Sequence, residues 1–224
     1  MSSIYPFFQW HNYPKTDEKK MINDVCNHKP DNTRINTWKW VDAFIEKLPK
    51  NSIIYDIGCG NGRNMSHSNH EFIGVDNSKK LIDICRKKSM NVMYADICNL
   101  PFKDNTADVI LSIASFHHLD TEKERFEAMR ELYRVLKPKG RVLLSVWSID
   151  QPHTAKYNFE DYEGNHWTDE DNIVDWINNH EKIYKKYYYI FRINELTDII
   201  KKCNFWIINH RWEFGNEIFE LRKI

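Results

Sequence analysis

The chain runs Asp56-Ile57-Gly58-Cys59-Gly60-Asn61-Gly62-Arg63 directly after Ile53-Ile54-Tyr55, the opening of a short apolar run of the kind that forms a buried parallel strand. Of the 7 glycines in 224 residues, three fall within these five positions, 58 to 62. Ligands of an open α/β sheet bind outside the carboxyl ends of its strands, so a glycine loop at this place is a candidate ligand loop. The dinucleotide fingerprint G-x-G-x-x-G would need glycine at 63. Arginine stands there, which argues against a nicotinamide or flavin cofactor.

Outward from this loop, apolar runs recur at 72–75, 91–95, 108–114 and 141–147, separated by helical periodicity. Val41, Phe44, Ile45 and Leu48 follow i, i+3, i+4, i+7, and Leu81, Ile84 and Cys85 repeat part of that pattern. Thr121 and Glu124 form a capping box before Phe126, Met129, Leu132, Tyr133 and Leu136, and Pro138 with Gly140 is expected to end that helix. Alternating strands and helices predict a doubly wound α/β sheet. Beyond Trp147 the texture changes: residues 150–175 carry eight acidic residues against one lysine and read as an insertion or long loop. A helix with Leu196, Ile199, Ile200 and Cys203 follows. Phe205–Glu213 and Glu217–Lys223 then flank Gly215-Asn216 as a hairpin, so the sheet is expected to end antiparallel.

Asp56, Asp76 and Asp96 sit at successive strand ends, and Asp76, 18 residues past Gly58, is placed to accept hydrogen bonds from both hydroxyls of a ribose. The pattern D-x-G-x-G-x-G resembles motif one of the Rossmann-like class I S-adenosylmethionine methyltransferases, whose sheet is seven-stranded and mostly parallel with an antiparallel last strand. The resemblance implies that the backbone at Gly58, Cys59, Gly60 and Gly62 approaches the methionine part of S-adenosylmethionine. Asp56 would engage its ammonium group, Asp76 and Asn77 the ribose, and Asp96 and Ile97 the adenine, with Ser112 nearby. It also implies one methyltransferase domain over 1–224: N-terminal helices to residue 50, a cofactor-binding core at 51–149, the insertion at 150–186, and a C-terminal helix and hairpin at 187–224.

Lysine plus arginine and aspartate plus glutamate both number 32, so overall basicity cannot drive nucleic-acid binding. Charge is nonetheless segregated: residues 182–202 hold six lysines or arginines against two acids. The five cysteines are scattered, without a CxxC pair, which disfavours disulfides and a structural zinc site; no metal is expected. No apolar run approaches 18 residues and the first 15 lack a signal-peptide layout. The expectation is a soluble cytoplasmic protein, with the nucleus as the other compartment and no membrane.

Four stretches resemble the wobble-uridine tRNA methyltransferases, which esterify 5-carboxymethyluridine at the anticodon. They are Asn32-Thr33-Arg34-Ile35-Asn36-Thr37-Trp38, Ile73–Cys85, Val146-Trp147-Ser148-Ile149-Asp150-Gln151 and Lys186–Leu196, the last with Tyr189 where histidine is expected and Asn194 where glycine is expected. By this resemblance Arg34, His117 and Arg192 would position the carboxylate or an adjacent phosphate. Trp147 and Tyr189 would wall or stack the base, Trp38, His118 and Gln151 would be further substrate-binding residues, and the basic segment suggests that Lys185 and Lys186, with Lys182, Lys19 and Lys20, follow tRNA phosphates. A small zinc-binding activator protein would pair with the edge strand 91–95 as a heterodimer. The rival readings are a quinone- or phenol-type small-molecule methyltransferase and an inert methyltransferase-like binding module.

Overall fold

A computed structural model describes residues 37–148, 173–177, 183–187, 189–213 and 215–224, with only the backbone given for 173–177 and 183–187. Helix α1, Lys39–Ile45, precedes β1, Ile53–Ile57, and β2, Glu71–Asp76. Then come α2, Lys79–Lys87, β3, Val92–Tyr94, and β4, Ala107–Ile113. A 3₁₀ turn, Phe116–His118, leads to α3, Glu122–Val135, and β5, Leu136–Val146. Strands β6, Ile173–Ile177, and β7, Ile183–Tyr187, pair with each other, and α4, Ile193–Lys202, β8, Phe205–Glu213, and β9, Asn216–Lys223, complete the order.

The main sheet has seven strands in the order β3-β2-β1-β4-β5-β9-β8. Five are mutually parallel, and β9 runs antiparallel to both β5 and β8. The chain leaves β1 toward β2 and β3, then returns to lay β4 on the other side of β1. That reversal creates the crevice where such sheets bind ligands. The doubly wound sheet with an antiparallel final strand therefore stands as expected.

Alternation along the strands divides the core. Ile54 of β1 and Val109, Leu111 and Ile113 of β4 pack with Trp40, Val41, Phe44 and Ile45 of α1. On the opposite face Tyr55, Ile57 and Ile110 pack with Met129 and Leu132 of α3 and with Leu196 and Ile200 of α4. Asp56 shares the phase of Ile54, so its carboxyl turns to the α1 side, away from the larger core.

Two expectations change. Helix α3 stops at Val135, because Leu136 is already extended and pairs with Ala107 of β4; Pro138 lies within β5 and does not terminate the helix. Its last carbonyls are satisfied from outside the helix: Asn105 N–H donates to Arg134, Thr106 N–H to Val135, and the Lys223 ammonium to both Tyr133 and Leu136. Part of the stretch read as an insertion or loop is also regular, since β6 and β7 form an antiparallel pair within it. Residues 1–36 and 149–172 lie outside the described residues.

Lys223 is buried and donates a third bond to Asn105 Oδ1 at 2.8 Å. Replacing it by methionine would keep much of the packing but orphan the buried Leu136 carbonyl and the partly buried Tyr133 carbonyl. Lys223→Met is expected to lower unfolding stability by about 3 kcal/mol, read from urea denaturation midpoints.

Candidate active site

The chain leaves β1 in a turn fastened to β2: Gly58 N–H and Cys59 N–H both donate to the Val75 carbonyl, at 2.7 and 2.9 Å. Gly58 adopts φ +81°, and a Cβ there would lie 2.2 Å from the Ser115 Cβ, so the loop abuts the chain just beyond β4 with no room for a side chain. At Gly60, φ +57°, a Cβ would meet nothing within 4 Å. The loop is thus packed on one side and open on the other, a cradle where a ligand can approach the backbone.

Asp76, at the end of β2, holds this loop through one oxygen and the next helix through the other: Oδ2 accepts from Gly60 N–H and Oδ1 from Ser78 N–H, both at 2.9 Å. Asn77, beside it, is exposed. Asp96 is exposed, its Oδ1 accepting from Cys98 N–H at 2.8 Å, and Ile97 is half-buried against the core. Ser112 and Ser115 share a hydroxyl contact of 2.9 Å, and the Ser115 hydroxyl donates to the Ile57 carbonyl. The expected cofactor residues therefore gather along the carboxyl ends of β1 to β4.

Cys59 departs in detail. Its backbone belongs to the loop, but its thiol is buried in a sulfur-rich cluster with Cys85, Met65 and Met90, turned into the protein. A hydrogen bond with Cys85 and burial hold that thiol well above its ordinary range.

Asp56 is fully buried. Its Oδ2 accepts from Asn64 Nδ2 at 3.3 Å, while Oδ1 has no hydrogen-bond partner among the described residues, and neither has Asn64 Oδ1. Burial pushes its pKa from 3.8 to about 7, against the Asn64 bond and the Arg63 charge that pull it down. Two orphaned acceptors at the edge of an open glycine cradle fit a cationic amino group. Asn64 carried no signal in the sequence beyond its place after the loop.

Among the residues expected to meet substrate, His117 is buried and joins three segments. Its Nδ1 accepts from Trp147 N–H at 3.2 Å, its carbonyl accepts from Tyr189 N–H at 2.7 Å, and Phe191 N–H donates to the Trp147 carbonyl. The His117 and Trp147 rings lie 5.5 Å apart, and half-buried His118 stands edge-on to His117 at 4.7 Å. Trp38 is brought to the loop from α1: the Arg63 guanidinium lies 4.8 Å from its ring, and Thr37 Oγ1 donates to the Arg63 carbonyl.

The Tyr189 side chain is engaged from within the protein. One ring face is covered by the Arg125 guanidinium at 3.6 Å, and its hydroxyl donates to Glu195 Oε1 at 2.8 Å. Arg192, exposed, occupies the N-cap position of α4 without a side-chain capping bond and lines a groove with Asn194, Thr197, Asp198 and Lys201, with no described contact to His117. Arg34 and Gln151 lie outside the described residues, as do the side chains of Lys185 and Lys186. Arg125 carried no functional signal in the sequence, although its spacing to Ala128, Met129 and Leu132 puts it on the buried stripe of α3, an unusual position for an arginine.

A buried carboxyl with a raised pKa destabilises the folded chain when it ionises. The ligand-free protein should be most favoured by this group below pH ~4 and lose about 4 kcal/mol of that contribution as pH rises to about 7. Asp56→Asn is expected to flatten that slope and raise the melting temperature at pH 8, measured by thermal unfolding across pH 5 to 8.5.

A family model described as methyltransferase domain matches residues 55–144. The tRNA (carboxymethyluridine(34)-5-O)-methyltransferase of Arabidopsis thaliana is 46% identical over 142 residues, covering 62% of this chain and 35% of its own length. The protein of the same description from Schizosaccharomyces pombe is 29% identical over 217 residues, covering 88% of this chain and 92% of its own. The chain thus spans about a third of the plant relative and nearly all of the yeast one. Among solved structures, a methyltransferase dependent on S-adenosylmethionine from Methanosarcina mazei shares the fold, with TM-score 0.69, 18% identity and coverage of 84% of this chain and 99% of that one. The chain thus carries a methyltransferase-domain match over its glycine cradle and strand-end acids, shares the Rossmann-like fold of a methyltransferase dependent on S-adenosylmethionine, and is similar in sequence to tRNA (carboxymethyluridine(34)-5-O)-methyltransferases.

Proposed function

We propose that the chain methylates the carboxylate of 5-carboxymethyluridine at the wobble position of tRNA, forming the methyl ester. The observation that carries this reading is the similarity of nearly the whole chain to a tRNA (carboxymethyluridine(34)-5-O)-methyltransferase, through the substrate side as well as the cofactor cradle.

When bound, S-adenosylmethionine supplies an electrophilic methyl group on sulfur. Asp56 and Asn64 would hold its ammonium group, Asp76 and Asn77 its ribose, and Asp96 and Ile97 its adenine, with the backbone of Gly58–Gly62 beneath. A carboxylate nucleophile with pKa near ~4 is ionised at neutral pH, so no general base is needed. What the protein must supply is alignment in a partly dry pocket. His117 is suited to that role, because it is buried and its Nδ1 is engaged by a backbone donor, which leaves the ring proton on Nε2. Trp147 and His118 border the same place. Arg34 and Arg192 would meet the carboxylate or a neighbouring phosphate, and Gln151 and Trp38 would border the base.

Phosphate contacts fall to Lys185, Lys186 and the exposed Arg192, which lie in or beside the basic segment 182–202 and answer the zero net charge. A small zinc-binding activator protein fits β3, which lies at one edge of the sheet with Met93 36% and Tyr94 52% exposed.

The deciding experiment supplies labelled S-adenosylmethionine and bulk tRNA, with and without the activator, followed by nucleoside analysis. The expected product is an alkali-labile ester that releases methanol. In a parallel reaction that offers phenols and quinones, an alkali-stable methylated product without transfer to tRNA would point to the small-molecule reading, and no transfer to either acceptor to the binding module. Arg34→Ala is expected to cut turnover about a hundredfold with cofactor affinity nearly unchanged. Because the cationic cofactor requires ionised Asp56, affinity should weaken as pH falls below about 7, approaching tenfold per unit; calorimetric titration from pH 5.5 to 8 checks it.

A further inference from the structure

Arg125 is a cation in an apolar setting. It is 5% exposed on a helix face it shares with Ala128, Met129 and Leu132. Its Nη1 donates to the carbonyls of Leu119 and Asp120, at 3.2 and 3.0 Å, so the guanidinium grips the chain just after the 3₁₀ turn that carries His117 and His118. Its plane covers the Tyr189 ring at 3.6 Å, and its Nη2 lies 3.8 Å from Glu195 Oε1, the same oxygen that accepts the Tyr189 hydroxyl. Four pieces of chain therefore meet on one side chain: α3, the 117–120 turn, the segment entering α4, and α4 itself.

The outer parts of this cluster are continuous with the substrate side. Tyr189 N–H donates to the His117 carbonyl, Phe191 N–H to the Trp147 carbonyl, and Trp147 N–H to the His117 ring. A desolvated guanidinium over an aromatic face, anchored to carbonyls and facing a carboxylate, is a strong and directional contact. A helix-face arginine serving only solubility would not be buried there.

Resting on the reading of the substrate side above, we propose that Arg125 is a positioning residue for methyl transfer. Acting through Tyr189 and the 117–120 turn, it fixes His117 and Trp147 where the acceptor carboxylate must be aligned, without touching cofactor. Tyr189 is then a strut of this device, and its phenol works through Glu195.

Two measurements on the full chain, with activator present if the wild type needs it, test this. The first is steady-state methyl transfer to tRNA by Arg125→Lys, Tyr189→Phe, Glu195→Gln and the Arg125→Lys/Tyr189→Phe double variant. Arg125→Lys is expected to lower kcat at least tenfold, with KM for tRNA within threefold and cofactor affinity and binding stoichiometry unchanged. The double variant is expected to be no worse than Arg125→Lys alone, because both act through one device. The second is native-state amide exchange, which needs no substrate: the Tyr189 and Phe191 amides should exchange at least tenfold faster in Arg125→Lys while those of β1 and β4 do not change. Unchanged kcat, additive losses, or a parallel fall in cofactor-binding stoichiometry would overturn the proposal. Should Arg125→Lys fail to fold, Tyr189→Phe and Glu195→Gln decide it by the same readouts, each expected to lower kcat about threefold or more. If the wild type transfers no methyl to tRNA while Arg125→Lys still speeds exchange at the Tyr189 and Phe191 amides, the substrate reading fails and Arg125 stands as the residue that orders this segment.

Discussion

At the reversal point of the sheet the backbone of Gly58 lies so close to Ser115 that a methyl group cannot be accommodated. That contact joins the end of β1 to the end of β4, the two strands between which the chain order reverses. It fixes the height of the glycine loop, and with it the places of Asp56 below and Gly60 above. Asp76 then locks the far side by holding Gly60 N–H and Ser78 N–H on its two oxygens. The cradle is thus set by backbone geometry, and its side chains chiefly restrain that backbone.

Within this frame Asp56 is a high-energy group. A fully buried carboxyl with an unmet oxygen is unfavourable in the isolated chain, and the same feature makes it selective for a cation. The substrate half is organised differently. Among the described residues its order comes from a buried cation that ties together segments distant in sequence.

This contrast explains what the sequence made legible. The doubly wound sheet with its antiparallel end and the place of the glycine loop could be read because each rests on a local signal: an apolar run, a cluster of glycines, an acid at a strand end. The substrate side could not be read in the same way. Nothing near Tyr189 in the chain shows that Arg125, 64 positions earlier, lies over one face of its ring. The end of α3 was misjudged for a related reason. Pro138 is the local stop signal, but the pairing of Leu136 with Ala107, together with donors from Asn105, Thr106 and Lys223, ends the helix earlier.

The position of β9 bears on how the molecule comes together in time. This strand, residues 216–223, is inserted between β5 and β8, and its Lys223 supplies the donors for carbonyls at the end of α3. Until these residues are available, β5 is an open edge, β8 has no neighbour, and the Tyr133 and Leu136 carbonyls must stay hydrated. The parallel half of the sheet can gather earlier from contacts closer in sequence, whereas completion waits for pairings that close long loops, the slow class of folding event. On a ribosome, therefore, the cofactor cradle has all its strands long before the sheet is whole, and the emergence of β9 decides when the nascent domain can close.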